Sequence, residues 1–553
     1  MIVGNVRARY SHLRSDLKKA DLLGTLKLPA GLRDFFRKPV TVQCSEEEIK
    51  KALKTREERF LQLVLMNVYQ RPSSPYLKLL KIAGCEYSDL RTCVRHSGIE
   101  ETLKRLAREG VYLTSEEFKS KKEVIRGRQS FRVLPSQFET RSESVGYPTQ
   151  SSGTRNQPAR SFVSLGLLKL RSPVTSVFFA AHNLFSHSHA MYDAILPGPA
   201  GLNNLLIYAR IGVVADRWFA RAIPINTRLE GLYHYLTTQF VVLAAKCFGP
   251  GFPRPEFIKI DLVRQIIHWL AAQQKQNKAC CITTAASNAV RIARTASDLG
   301  VSLHGTKFIV TGEPFTESKR NLIEYAGATA TPRYAYGGSI NIGFGCANPL
   351  HTDEIHVNQH LLALFPNPRP VKTNGSCLSP LLCTTLHTAF PRMLLNVESG
   401  DYGYLIERDC GCALGKVGLS VHLHHIRSFE KFTSEGMNYF YGDLYELFEK
   451  DLPSEFGGGP GDYQLVEEED RAGQTRLTVV VHPAIGPLDE VKMMARLRAA
   501  FADGSRGNRF MTGVWENAET FKVRREIPYA SPRGKILPLH ISQAKTKLPG
   551  TEA

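Results

Sequence analysis

Ala279-Cys-Cys-Ile-Thr-Thr284 is followed at once by Ala285-Ala-Ser-Asn-Ala-Val-Arg-Ile-Ala-Arg-Thr-Ala296. After a short turn comes Lys307-Phe-Ile-Val-Thr-Gly312. The first and last runs are short, apolar and β-branched, which suits strands buried on both faces. The middle run carries apolar residues at helical spacing. Strand, helix and strand in that order read as one unit of a parallel sheet, because parallel strands need a crossover between them.

Working outward, the same alternation covers residues 141 to 425. Leu262-Val-Arg-Gln-Ile-Ile-His-Trp-Leu-Ala-Ala272 has a helical pattern, and Val174-Thr-Ser-Val-Phe-Phe-Ala180 reads as another buried strand. The expected fold class is therefore α/β, a mostly parallel sheet covered by helices, with ligands at the carboxyl ends of the strands. Residues 1 to 140 form a helix-rich N-terminal region of the same large domain. Its helix signals include Ser45-Glu-Glu-Glu, the apolar face Glu58 to Tyr69, and the run between Gly98 and Gly110. Residues 426 to 553 read as a small α+β C-terminal domain, with strands at Asp462-Tyr-Gln-Leu-Val-Glu467 and Thr475-Arg-Leu-Thr-Val-Val-Val-His482. A chain of 553 residues is too long for a single core.

Composition narrows the function classes. Hydrophobic residues at 43% and charged residues at 22% are ordinary for a globular protein. The net charge of +19 suits anionic small molecules such as nucleotides. It comes without a Lys/Arg block or nucleic-acid motif, so no nucleic-acid partner is expected. No apolar run is long enough to span a bilayer, since Lys246 interrupts the best one after Phe240. The opening residues lack the apolar core of a signal peptide. Eleven cysteines, an odd number, suit free thiols or metal ligands better than a disulfide framework. The expectation is a cytoplasmic protein.

Several short motifs carry candidate chemistry. Ser151-Ser152-Gly153-Thr154 opens a loop that runs through Arg155, Asn156 and Pro158 to Ala159 and Arg160. Hydroxyls and successive backbone amides in such a loop can cradle phosphate oxygens, and the same residues also make ordinary turns. Gly312-Glu313-Pro314 ends an apolar strand; the glycine permits close approach of a ligand, and Glu313 also suits the first turn of a helix. Tyr336-Gly337-Gly338-Ser339 places an aromatic beside a glycine turn, where it either stacks on a base or fills a core. Asp401 sits in a glycine turn after an apolar run, either as a ligand for ribose hydroxyls or as a plain turn residue. Lys535 follows a glycine in Ser531-Pro-Arg-Gly-Lys-Ile536 and can supply a point charge to a phosphate. A second constellation joins Cys410-Gly-Cys412 to Cys346 and to His351 and His356. Three thiolates and an imidazole make a closed tetrahedral zinc site, and two reduced thiols in a turn would read the same way. His187 and His189, with His422, His424 and His425, are acid/base candidates or turn-filling residues.

In this order the motifs resemble the adenylate-forming superfamily. They are most similar to its branch of phenylacetate–CoA ligases and the acyl-protein synthetases of bacterial luminescence, over residues 55 to 540. The resemblance implies ATP and Mg2+ as cofactors and activation of an aryl or fatty carboxylic acid as an acyl-adenylate. A thiol, CoA above all, then takes the acyl group; the alternatives are an acyl-accepting protein, carrier domain or amine, and a degenerate ATP-binding protein. It further implies that Ser151, Ser152, Gly153 and Thr154 grip the phosphates. Gly312, Glu313, Pro314, Tyr336 and Gly337 would line the adenine site and Asp401 would bind ribose. Arg427 would mark the hinge to a mobile small domain, and Lys535 with Ser339 would act in catalysis. Relatives carry a structural Zn2+, which favours Cys346, His356, Cys410 and Cys412, with His356 rather than His351.

The chain departs from that pattern in two places. Arg155, Asn156 and Ala159 replace the second Thr-Gly and the lysine of the phosphate loop, with Arg160 adjacent. Ile340 stands where a glutamate usually helps hold magnesium. No cysteine follows Cys412, which weighs against self-acylation near the C-terminus.

Overall fold

The computed structural model describes residues 24–38, 40–140, 145–150, 160–221, 228–258, 263–336, 340–369, 371–373, 376–428, 431–434, 437–469, 475–502, 521–530 and 534–541. Its centre is a ten-stranded sheet. In chain order the strands are β1 Ser188–Tyr192, β2 Arg217–Arg221, β3 Pro255–Ile258, β4 Cys280–Ala285, β5 Thr306–Thr311 and β6 Thr329–Tyr336. They are followed by β7 Ile340–Gly345, β8 Ile355–Val357, β9 Asp401–Glu407 and β10 Val421–Ser428. Across the sheet the order is β9-β10-β8-β7-β6-β5-β4-β1-β2-β3. Strands β3 to β6 along that row, by way of β2, β1, β4 and β5, pair in parallel. The other pairings are antiparallel.

The decisive run behaves as its composition predicts. All six residues of β4 are buried, and β5 sends Phe308 and Val310 to one core and Ile309 to the other. That alternation is the two-residue period of a strand read out on two apolar faces. On the first face lie α3 Arg264–Gln274, α4 Ala286–Asp298 and α5 Glu317–Tyr325, through Ile267, Leu270, Ile292, Ala293 and Ile323. On the second lie α1 Leu165–Ala181 and α2 Pro199–Arg210, through Leu168, Val174, Phe178, Leu205 and Leu206. Each fully buried Leu or Phe here contributes roughly 1.5–3 kcal/mol of transfer free energy.

Val174 to Ala180 is therefore not a strand; it is the C-terminal half of α1. The helix is buried on nearly all sides, so its polar face is missing and its sequence reads as a continuous apolar run. Ser164 caps it by accepting from Leu167 N at 3.1 Å, and Thr175 bonds back to Arg171 O. In the N-terminal region the helix Val42–Lys54 is capped by Thr41 rather than Ser45, and the helix after Gly98 begins beyond a kink where that glycine has φ +77°.

Strands β11 Tyr463–Glu469, β12 Thr475–Val481, β13 Phe521–Arg525 and β14 Leu539–Ile541 make a separate four-stranded sheet in the order β13-β12-β11-β14. Leu465, Leu477 and Val479 pack with Phe448 and with Met493 and Leu497 of α6 Glu490–Ala502, in a core distinct from those of the large sheet. Among the described residues no helix is long and apolar enough to cross a membrane.

Candidate active site

The chain passes from β1 outward to β2 and β3, then returns to lay β4, β5 and β6 on the other side of β1. Strand order thus reverses between β1 and β4, and in open α/β sheets ligands bind beyond the carboxyl ends of the strands at that reversal. Ser287 follows β4, Gly312 follows β5 and Tyr336 ends β6, so parallel pairing brings all three to one edge.

Lys535 comes to the same edge from the C-terminal segment. Gly312 has φ +88°, and a methyl group there would lie 2.7 Å from Lys535 Cε and 2.9 Å from Nζ. The ammonium therefore lies directly over the glycine at the end of β5. Gly534 has φ +82° and packs so closely on Asn288 that any side chain at 534 would overlap its amide. Ser287 Oγ lies 3.4 Å from both the N and the O of Ile536. The turn before Lys535 is thus seated on the first turn of α4.

The Glu313 side chain is fully buried. Its carboxylate accepts from Ser287 N at 2.8 Å and Ser287 Oγ at 2.6 Å, which satisfies a donor at the start of α4. Lys319 Nζ, also buried, lies 3.7 Å from Glu313 and 2.8 Å from Glu449, and donates to Pro314 O at 2.9 Å. Glu449 also accepts from Thr316 Oγ1 at 2.7 Å. Burial raises the Glu449 carboxyl pKa, while Lys319 beside it favours the charged form. Arg294 of α4 pairs with Asp462 at 2.7 Å, a second ionic tie between the large sheet's helices and the C-terminal sheet.

Asp401 accepts from Tyr334 Oη at 2.5 Å. Burial, then the Asp401 charge, keeps the Tyr334 hydroxyl protonated and hence a donor. The pair spans β6 and β9, with Ser399 Oγ bonded to the Asp401 backbone at 3.2 Å. Arg427 near the end of β10 donates to Asp353 Oδ2 at 2.8 Å and is half-buried. Ile340 pairs with Tyr336 across the β6–β7 turn and is buried in the apolar core, so it contributes no ligand to a metal. Both Glu313 oxygens are engaged as described. Ser151, Ser152, Gly153, Thr154, Gly337 and Ser339 lie outside the described residues.

The cysteine constellation assembles. His356 Nε2 lies 3.1 Å from Cys412 Sγ and 3.5 Å from Cys410 Sγ. One ligand atom from each of Cys346, His356, Cys410 and His422 lies within 4.8 Å of the others. His356 Nδ1 donates to Leu419 O at 2.7 Å, an acceptor only, so Nε2 is directed at the sulfurs. The hydrogen bond between Cys346 and Cys412 raises the first thiol's pKa and lowers the second's, which leaves negative charge on Cys412. Buried His422 Nε2 has no hydrogen-bond partner. This donor set, the two sulfurs of Cys346 and Cys410 and two imidazole nitrogens, suits four-coordinate Zn2+. Three of the expected four ligands, Cys346, His356 and Cys410, fall in this group; Cys412 touches it through His356 Nε2, and His351 is not among them. His422 is the addition; the alternating His-x-His of β10 is the signal that could have found it.

His189 is a core residue. It stacks on Phe179 at 5.4 Å, donates to Leu184 O, and burial lowers its pKa to about 4. Sequence reasoning missed Ser287, Lys319, Tyr334, Asp353 and Glu449, which carry no motif; Ser287 meets Glu313 26 positions on, Tyr334 meets Asp401 67 on, Asp353 meets Arg427 74 on, and Thr316 meets Glu449 133 on.

No family model matches the sequence, and no curated protein matches it. Solved structures do match. 2-Hydroxyisobutyryl-CoA ligase in the postadenylation state, in complex with R3-HIB-AMP, aligns over 89% of this chain and 89% of its own, at 14% identity and TM-score 0.51. The same ligase with 2-HIB-AMP and CoA in its thioesterification state aligns over 88% and 89%, at 15% identity and TM-score 0.44. ATP-bound MatB from Rhodopseudomonas palustris aligns over 74% and 68%, at 10% identity and TM-score 0.40. The alignment along nearly the whole chain shows that this protein shares the fold of 2-hydroxyisobutyryl-CoA ligase.

Proposed function

We propose that the protein uses ATP to activate a carboxylic acid as an acyl-adenylate and passes the acyl group to a thiol, CoA being the acceptor the fold favours. The observation that carries this reading is Lys535 placed over Gly312 at the strand-order reversal. A carboxylate oxygen of the substrate attacks the α-phosphorus of ATP, the bond to the bridging oxygen breaks, and pyrophosphate leaves. Negative charge grows on the phosphoryl and bridging oxygens. Lys535 supplies a fixed cation there, and Gly312 leaves room for the phosphate and lysine to meet; such preorganised charge is usually the largest catalytic contribution. Asp401, oriented by Tyr334, accepts from the ribose hydroxyls. Gly312 to Pro314 and Tyr336 flank the adenine. Ser151 to Thr154 would cradle the phosphates, and Ser339 would add a hydroxyl.

For the second step the C-terminal sheet would turn about the segment near Arg427 and carry Lys535 away, as hinge closure gates other enzymes. The sulfur cluster would hold a structural Zn2+ that braces the β7–β8 connection and has no open position for water activation. The acid is proposed to be an aryl or fatty acid, as the resemblance implies. A degenerate ATP-binding role is the second reading, favoured by buried Ile340 at the customary magnesium-glutamate position.

Acid-dependent exchange of labelled pyrophosphate into ATP tests the proposal. Exchange with an aryl or fatty acid, strongly reduced by Lys535→Ala, is the expected result. Exchange that is absent with every acid while ATP still binds would replace the ligase reading with the second one.

A further inference from the structure

A second imidazole cluster lies two residues along β10 from the sulfur site. His351, in the connection between β7 and β8, stacks on His424 with ring centroids 3.9 Å apart and planes 19° apart. His425 closes the group edge-on, 5.0 Å from His351 and 4.9 Å from His424. One nitrogen from each ring lies within 4.8 Å of the other two.

Consecutive residues of a regular strand point to opposite faces, so His424 and His425 should not meet. They do, with Nδ1 atoms 2.6 Å apart. The cause is a bulge. The β9–β10 register shifts between Tyr402 and Tyr404, and His425 takes φ +51°, a left-handed conformation uncommon for a residue with a Cβ. Opposite the bulge is Gly403, where a methyl group would lie 2.9 Å from Leu423 and 3.0 Å from His424 O. Asp353 holds the bulge shut. Its Oδ1 accepts from His425 N and its Oδ2 from Ile426 N, each at 2.8 Å, and Arg427 adds a third bond. Bulges of this kind re-aim side chains and recur beside functional sites. Here the strained residue and its brace have one visible product, three imidazoles on one spot. The adenylation chemistry uses none of them.

We propose that His351, His424 and His425 form a binding site for a divalent cation of the Zn2+ class, separate from the cysteine cluster. Three neutral imidazoles suit Zn2+, Co2+, Ni2+ or Cu2+ and disfavour Mg2+ and Ca2+, which prefer oxygen ligands. The Asp353 oxygens are occupied by the bulge, so the protein supplies three nitrogens and leaves a position for water or an anion. His425 is exposed, and His351 and His424 are part-exposed, which gives the ion a path in. A cation there would join the β7–β8 connection to the end of β10 at Arg427.

The full chain without an affinity tag, stripped of metal and titrated with Co2+, tests this. Thiolate ligation gives intense charge-transfer absorption; imidazole-only ligation gives weak visible bands without it. We expect a Co2+ component of the second kind that Zn2+ displaces, that Cys410→Ser retains, and that His351→Ala loses. His425→Asn should lose it too, and asparagine tolerates the left-handed backbone, so folding is preserved. If all bound Co2+ carries the thiolate signature, or if folded His425→Asn and His351→Ala keep the imidazole-only component, the cluster is a hydrogen-bonded group and the proposal fails.

Discussion

Gly312→Ala is the sharpest single test of how the site is built. A methyl group at 312 would stand 2.7 Å from Lys535 Cε and 2.9 Å from Nζ, where unstrained contacts need about 3.5–4.0 Å. The lysine must retreat by roughly 1 Å, and misplacement on that scale can cost about 10²-fold in rate. The backbone adds its own penalty, because φ +88° costs an L-residue about 1–3 kcal/mol. Stability should fall modestly while pyrophosphate exchange falls about 10²-fold, near the loss that removal of one charge-stabilising donor produces. The double variant Gly312→Ala/Lys535→Ala should exchange no more slowly than Lys535→Ala alone, because the methyl then displaces nothing. Two results would refute the reasoning: near wild-type exchange in Gly312→Ala, or a full additional loss when it is combined with Lys535→Ala. The second would mean that the glycine is needed for the nucleotide and not for the lysine.

Lys319→Met leaves the buried carboxylates of Glu313 and Glu449 without their cation. Breaking a buried pair from one side costs about 3–5 kcal/mol, so the denaturation midpoint should drop clearly, and an unchanged midpoint would show that the network is idle. His360 sets part of the acid limit. Burial, then Arg59, lowers its pKa to about 3, so it stays neutral in the folded chain while the unfolded chain protonates near 6.5. Its contribution is present above pH 6.5 and is lost as pH falls toward 3. Neither ring nitrogen has a hydrogen-bond partner, so His360→Leu should retain more stability between those pH values. Melting temperatures that fall in parallel for both proteins would contradict this.

The α/β class, the strand–helix–strand unit at 279–312 and the order of the motifs were legible from the chain alone. They rest on local properties, namely β-branched apolar runs, helical spacing and glycine turns, which a linear reading detects. Val174 to Ala180 defeats that reading because a helix buried on nearly every side there loses the polar stripe that marks its period. Cys346, His356, Cys410 and Cys412 could be matched to one another by type and by resemblance, but His422 joins them only because β8 and β10 are neighbours in the sheet. Lys535 was visible as a lysine in a turn; that it reaches Gly312, more than two hundred residues earlier, depends on the C-terminal sheet docking against α4. Lys319 and Glu449 carry no motif at all, and desolvation turns two ordinary charges into a buried tie. Sequence by itself determined the elements and the chemical types available. Tertiary structure alone decided which charges are buried together and which side chains share a point in space, because burial and long-range pairing belong to the packed chain and not to any segment of it.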